Sequence, residues 1–251
     1  MVFLRNALLL LAVFLLTASS CKKDEGPNNV DTTPITDDLF PLTAGRQLVF
    51  SGYIRHATAD TNLTSTGAFY QGRMTVGTTT NLTPDGSTAT VLVDSSLVNP
   101  APVWVARNFL IRKGSTTGPY DFLTNIGLFY RTFGISRADS LRWVVLVRQD
   151  LGIGTEWTAF DSTWATATSQ VRLQVVCVVE GREMLSLGGQ SFNAYKVVAT
   201  RRVYLGGATI PSVTGATATV WLEPNIGIVK FIFNSDGETN GFFREYASRN
   251  F

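Results

Sequence analysis

A period of two in side-chain polarity governs what this chain can fold into. Val171, Leu173, Val175, Cys177 and Val179 alternate with Arg172 and Gln174 until Gly181 breaks the run. Only an extended strand sends successive side chains to opposite faces, so this stretch reads as a strand with one apolar face. Tyr195–Tyr204 repeats the pattern, with Tyr195, Val197 and Ala199 opposed to Lys196, Val198 and Thr200. Further strands are expected over 47–55, 69–76, 87–93, 103–112, 141–148, 217–222 and 227–233. Pro84-Asp85-Gly86, Gly188-Gly189, Gly206-Gly207 and Asp236-Gly237 supply turn chemistry between many of them. Strands in quick succession, rich in Val, Thr and aromatics, predict an antiparallel meander rather than βαβ units. The expected fold is mainly all-β: a single curved antiparallel sheet, half-barrel or barrel-like, over residues 39–251. One segment departs from the pattern. Phe122, Ile126, Phe129 and Phe133 are spaced four, three and four apart after Pro119, which predicts one short helix covering a mouth of the sheet. Gly127 and β-branched neighbours work against that helix.

The N-terminus carries a different signal. Arg5 precedes an apolar run, Ala7–Leu16, and the small residues Thr17-Ala18-Ser19-Ser20 lead to Cys21. This is the order of a secretory signal, residues 1–20. The run is about half of the ~20 residues a membrane span needs. With Cys directly after the small residues, the segment resembles the lipobox of bacterial lipoproteins, although Ala18 stands where that family usually has Leu. The resemblance implies lipidation of Cys21 and attachment through more than one acyl chain, which is effectively permanent where a single chain is reversible. Lys22-Lys23-Asp24-Glu25 resembles the export signal of surface-displayed Bacteroidetes lipoproteins. It implies the outer face of the outer membrane, with the periplasmic face as the alternative. Residues 21–38 are Gly-, Pro-, Asn- and acid-rich and read as a flexible tether. Within it Asp31-Thr32-Thr33 resembles the Bacteroidetes O-glycosylation pattern, which makes Thr32 a candidate acceptor.

The body carries a resemblance of its own. Phe40-Pro41-Leu42 with Gly45, then Gly154-Thr155-Glu156-Trp157, Gly189–Val197 and Trp221–Lys230, resemble a group of Bacteroidetes lipoproteins of unknown function, which usually have Trp where this chain has Leu48. The likeness implies a half-barrel like those of lipoprotein carriers and no established activity.

Little chemistry is legible. His56 is the one histidine, and no Gly-x-Ser-x-Gly elbow accompanies it. Zinc needs several closely spaced Cys, His or acidic ligands, and calcium needs clustered oxygens. Neither pattern occurs, and no cofactor or metal is expected. Cys177 lies on the apolar face of its strand and reads as an inert core thiol. The formal charge of +2 shows no basic cluster of the kind nucleic-acid binding requires. Asp94, Asp121, Asp161 and Glu223 are candidate carboxylates for hydrolysis, but no pair stands out. Trp157 and Trp164, flanking Phe160 in a loop-like stretch, are a candidate aromatic binding face, against the alternative that they pack in the core. Three functions are therefore carried forward. The first is a displayed binding domain for a glycan, lipid or protein. The second is a half-barrel carrier of a hydrophobic ligand, and the third is a hydrolase. A deep apolar pocket favours the carrier, a flat aromatic face the binder, and facing acids the enzyme.

Overall fold

The computed structural model describes residues 33–55, 69–98, 101–114, 119–125, 141–165, 169–233 and 241–251. Residues 31–251 form one compact unit. Twelve strands follow one another: β1 (Gln47–Arg55), β2 (Phe69–Thr80), β3 (Ala89–Val98), β4 (Ala101–Lys113), β5 (Tyr120–Asn125), β6 (Leu141–Val147), β7 (Glu156–Ala165), β8 (Gln170–Leu187), β9 (Gln190–Leu205), β10 (Val213–Glu223), β11 (Gly227–Phe233) and β12 (Gly241–Arg249). They make one antiparallel sheet in the order β6-β5-β4-β3-β2-β1-β12-β11-β10-β9-β8-β7. Two six-strand meanders are thus joined where the first strand pairs with the last. The outer strands β6 and β7 are linked by a 3-10 turn at Gln149–Leu151 and approach each other, so the sheet is nearly closed into a barrel. Across this seam the Trp157 indole N–H donates to the Val145 carbonyl at 3.3 Å.

The all-β expectation holds, and nine expected strands are present. The expected covering helix is not. Phe122 lies in β5, paired with Ile111 and Val144, because its alternation with Leu123 serves two apolar surfaces of a sheet. Ile126, Phe129 and Phe133 lie outside the described residues, and no helix covers the sheet among those described. The loop expected around Trp157 is strand β7. A bulge between Thr158 and Phe160 adds one residue, so Trp157, Phe160 and Trp164 all fall on one face, opposite Cys177, Val175 and Val171. A flat strand would have put Trp157 and Trp164 on opposite faces, since seven is odd.

One end of the barrel is crossed by residues 35–42, here called the strap. Ile35 is buried, Leu39 fully so, and Phe40 is 3% exposed. Burying Leu39 and Phe40 contributes about 1.5–3 kcal/mol each. The strap's main chain is held from several sides. Ile35 N–H donates to Gln149 O at 2.7 Å, and Asn225 N–H donates to Asp38 O at 2.8 Å. Gln149 Nε2 donates to the carbonyls of Ile35 (2.9 Å) and Asp37 (3.0 Å). The Asp37 carboxylate accepts from Arg182 at 2.6 Å and from the Tyr195 hydroxyl at 3.0 Å. That of Asp38 accepts from the Tyr120 hydroxyl at 2.5 Å and from Lys113 at 3.3 Å. Burial, reinforced by the bond to Asp38, pushes the Tyr120 phenol far above its ordinary value, so it stays a neutral donor. The last residues of the segment read as tether are therefore held by the barrel, because partners distant in sequence, most of them side-chain donors, meet them.

Candidate functional site

Successive pairings align the inner face. Leu48, Met74 and Asp94 share one row across β1, β2 and β3, and the neighbouring row holds Phe50 and Gly72. On β12, Arg244 pairs with Gly52 of β1 and with Phe231 of β11. Along the diagonal from Arg244 to Asp94 the inner face carries Gly52 and then Gly72. At Gly52 the requirement is steric: a Cβ there would sit 2.0 Å from the Phe243 carbonyl oxygen.

Above this row is a cavity of about 220 Å³. Met74, Leu92, Phe109, Phe122, Ile228 and Phe231 form most of its wall, Phe40 of the strap lines it, and Asp94 and Arg244 supply its polar groups. The rings of Phe109 and Phe122 stand 5.1 Å apart at 32°. Such a space exceeds the ~150 Å³ apolar cavity that can hold benzene. Between the strap and the sheet beneath it lies a small space of about 20 Å³, bordered by Phe40, Pro41, Leu48 and Ile228.

Arg244 is 6% exposed. Its Nη1 donates to both Asp94 oxygens, at 3.1 and 3.2 Å. The guanidinium lies 4.9 Å from the Phe50 ring and 5.4 Å from that of Phe231. An ion pair in such surroundings gives weak net stabilisation, because desolvating two charges offsets most of their attraction. Breaking it by removing one partner is far more costly, since a buried charge is then left alone.

The remaining sequence candidates separate. Trp157 is 5% exposed and faces the core, so it offers no platform to solvent; the seam bond and the bulge explain why. Trp164 packs half-buried against the same core. Cys177 is buried, and burial, with Glu156 nearby, pushes its thiol up to about 12. The four carboxylates do not face one another across a cleft. Asp94 turns inward to Arg244; Asp121 and Asp161 pair with Arg112 and Arg172. Glu223 sits by the strap, and burial raises it above the usual carboxylate range. Its Oε2 is buried without a hydrogen-bond partner among the described residues. No cluster of three or more His, Cys, Asp or Glu that would hold a metal occurs among the described residues. A larger surface cleft of about 360 Å³ lies by Thr163, Arg172, Tyr204 and the turn at 207–209. Its lining is as polar as it is apolar, and its arginine is engaged by Asp161. Residues 1–20, Cys21, Lys22, Lys23, Asp24, Glu25, Thr32 and His56 lie outside the described residues.

Sequence reasoning missed Arg244 and Gln149, which holds the strap from the β6–β7 turn. Arg244 belongs to β12, whose adjacent Phe242 and Phe243 conceal which face is apolar. Gln149 contacts residues more than a hundred positions away, which no local pattern reveals.

Fold and site together define a near-closed antiparallel β-barrel with a largely apolar pocket and one end crossed by a strap. No family model and no curated protein matches the sequence. Among solved structures, a proposed lipoprotein from Parabacteroides distasonis is similar, with 13% identity and a TM-score of 0.44 over 88% of this chain and 100% of that one. A proposed exported protein with a YmcC-like fold from Bacteroides fragilis is similar at 13% identity and a TM-score of 0.37, over 84% of this chain and 98% of that one. Likeness at this level carries no argument about what the chain does.

Proposed function

We propose that this chain is a lipid-anchored protein of the bacterial outer membrane whose barrel holds a hydrophobic ligand. The observation that carries the ligand reading is the apolar cavity of about 220 Å³ walled by Phe109, Phe122, Phe231, Met74, Leu92 and Ile228. Space of that size lined mostly by apolar side chains favours apolar guests. The binder reading is weakened by the burial of Trp157. The hydrolase reading is weakened by Asp94, Asp121 and Asp161 each holding its own arginine.

The anchor rests on the order of Arg5, the apolar run, the small residues and Cys21. Surface display rests on Lys22-Lys23-Asp24-Glu25. The ligand reading is tested with Leu92→Trp, which fills the cavity from one wall. Displacement titration of a polarity-sensitive neutral dye by medium-chain aliphatic compounds should show binding to the native protein and loss in the variant. Equal binding by both places the guest elsewhere and defeats the reading. For the anchor, Cys21→Ala should abolish radiolabelled palmitate incorporation and release the protein from membranes; persistent labelling would refute it.

A further inference from the structure

We propose that guest binding and strap docking are coupled: a molecule in the cavity binds more tightly when the strap is down, and so holds the strap against the barrel. The inference rests on the cavity being a ligand site, and it gives that site a regulatory output. In an anchored chain, a released strap adds eight residues, 35–42, to the length between Cys21 and the barrel, at most about 26–29 Å. Occupancy of the cavity would thus set how far the barrel stands from its anchor.

Cavity and strap share walls. Phe40 belongs to the strap and lines the cavity directly. On β5, Phe122 lines the cavity, and Tyr120, two residues earlier on the same face, donates its hydroxyl to Asp38 of the strap. The Tyr120 ring also lies 6.1 Å from that of Phe40. Ile228 of β11 lines the cavity, and Asn225, in the turn before that strand, donates its N–H to the Asp38 carbonyl. A guest therefore touches the strap through Phe40 and touches two of the elements that hold it. When the strap lifts, Phe40 leaves with it and the guest loses one apolar wall. That difference in contact between the two states is what a ligand needs in order to shift their equilibrium. The strap is also built to move without the sheet. It belongs to no strand, so lifting it breaks no ladder. Several of its ties end on half-exposed groups, with the Asp37, Arg182 and Asp38 side chains 36%, 37% and 42% exposed, where water can replace the partner. Segments tied in this way open at a lower free energy than the whole domain.

The test is hydrogen exchange on the purified full chain, with decanol as the guest and its binding followed by displacement of a neutral polarity-sensitive dye. Two amides read the strap: Ile35, which donates to Gln149 O, and Asn225, which donates to Asp38 O. The Gly206 amide, which donates to Gln170 O at the opposite end of β10 from Asn225, is the control. Saturating decanol is expected to slow exchange at Ile35 and Asn225 about fivefold to tenfold and to leave Gly206 unchanged. The slowing should reach a plateau, equal to the ratio of the guest's affinities for the two strap states. Gln149→Leu and Asp37→Asn loosen the strap from outside the cavity, which neither residue lines. By reciprocity, decanol affinity should fall in each variant in proportion to the strap opening read at Ile35. Bound decanol with unchanged exchange at both strap amides overturns the coupling and leaves the cavity reading standing. Equal slowing at Gly206 overturns it too, by showing general stabilisation. So does a variant whose strap amides exchange as in an unstructured chain while its decanol affinity stays native. Absence of decanol binding overturns both the coupling and the reading beneath it.

Discussion

Gln149→Leu isolates the strap's hold on the barrel. Gln149 is fully buried, and its Nε2 donates to the carbonyls of Ile35 and Asp37. Leucine fills a similar space without a donor. Two acceptors then lose their partner, at about 1–3 kcal/mol for each that stays buried. Asp37 is only half-buried, so water can reach its carbonyl and reduce that cost. The substitution also removes Gln149 Oε1, a buried acceptor with no partner among the described residues, which returns part of the loss. The balance is a destabilisation of about 1–3 kcal/mol, or about 2–12 °C in melting temperature for a domain of this size. Gln149→Glu should be worse, because a carboxylate has no N–H to offer and its charge resists burial. Circular-dichroism melts measure the global effect, and native-state hydrogen exchange at the Ile35 amide, which donates to Gln149 O, reads the strap itself. An unchanged melting temperature together with an unchanged exchange rate at Ile35 would refute the idea that Gln149 pins the strap.

Gly52→Ala should destabilise by about 1–3 kcal/mol or more, since the new Cβ meets the Phe243 carbonyl and strand backbones cannot yield as side chains do; an unperturbed urea midpoint would count against this packing. Cys177, with its thiol pushed up to about 12, should resist iodoacetamide at pH 8 in the native protein and react once urea unfolds it; rapid native labelling would contradict the burial. Burial raises Glu223, so the folded state holds that proton more tightly than the unfolded one. Its contribution is present at low pH and is lost as pH rises through the raised value. Glu223→Gln should therefore melt higher than the native protein at pH 7, with the advantage shrinking towards pH 4; an advantage independent of pH would show that ionisation is not the cause.

The body of the fold was legible because most strands bury one face. In β8 the apolar residues fall on every second position from Val171 to Val179, and β9 alternates similarly from Tyr195 to Ala199. Where the period fails, so does the reading, and each failure has a local cause. In β7 the bulge at Thr158–Phe160 shifts the phase between its two tryptophans. In β5, Tyr120 and Phe122 face inward while Leu123 is buried on the other side, so both faces are apolar and the alternation vanishes. The 3–4 spacing that suggested a helix there reaches past the strand's end at Asn125 and is accidental to it.

The candidate site was harder to see for a reason that bears on what the site is. Asp94 appeared in the sequence as one acid among several, and Arg244 as one basic residue in Phe242-Phe243-Arg244-Glu245-Tyr246. Each alone looks like a solvated strand residue. They become a pair only because β12 lies beside β1, a contact between the two ends of the meander that strand order alone does not foretell. The glycines at 52 and 72 carry the missing clue. A strand interior loses backbone entropy at each glycine and gains no side-chain packing from it, so two on the same face of adjacent strands imply that something else occupies the space. At Gly52 it is the main chain of β12, whose Phe243 carbonyl and Arg244 Cα occupy it, and from there Arg244 reaches Asp94. Two apolar residues of similar volume in place of the pair would cost less desolvation. A charged pair kept at the wall of an apolar cavity is therefore poorly explained by stability, and better by what it presents to a molecule inside.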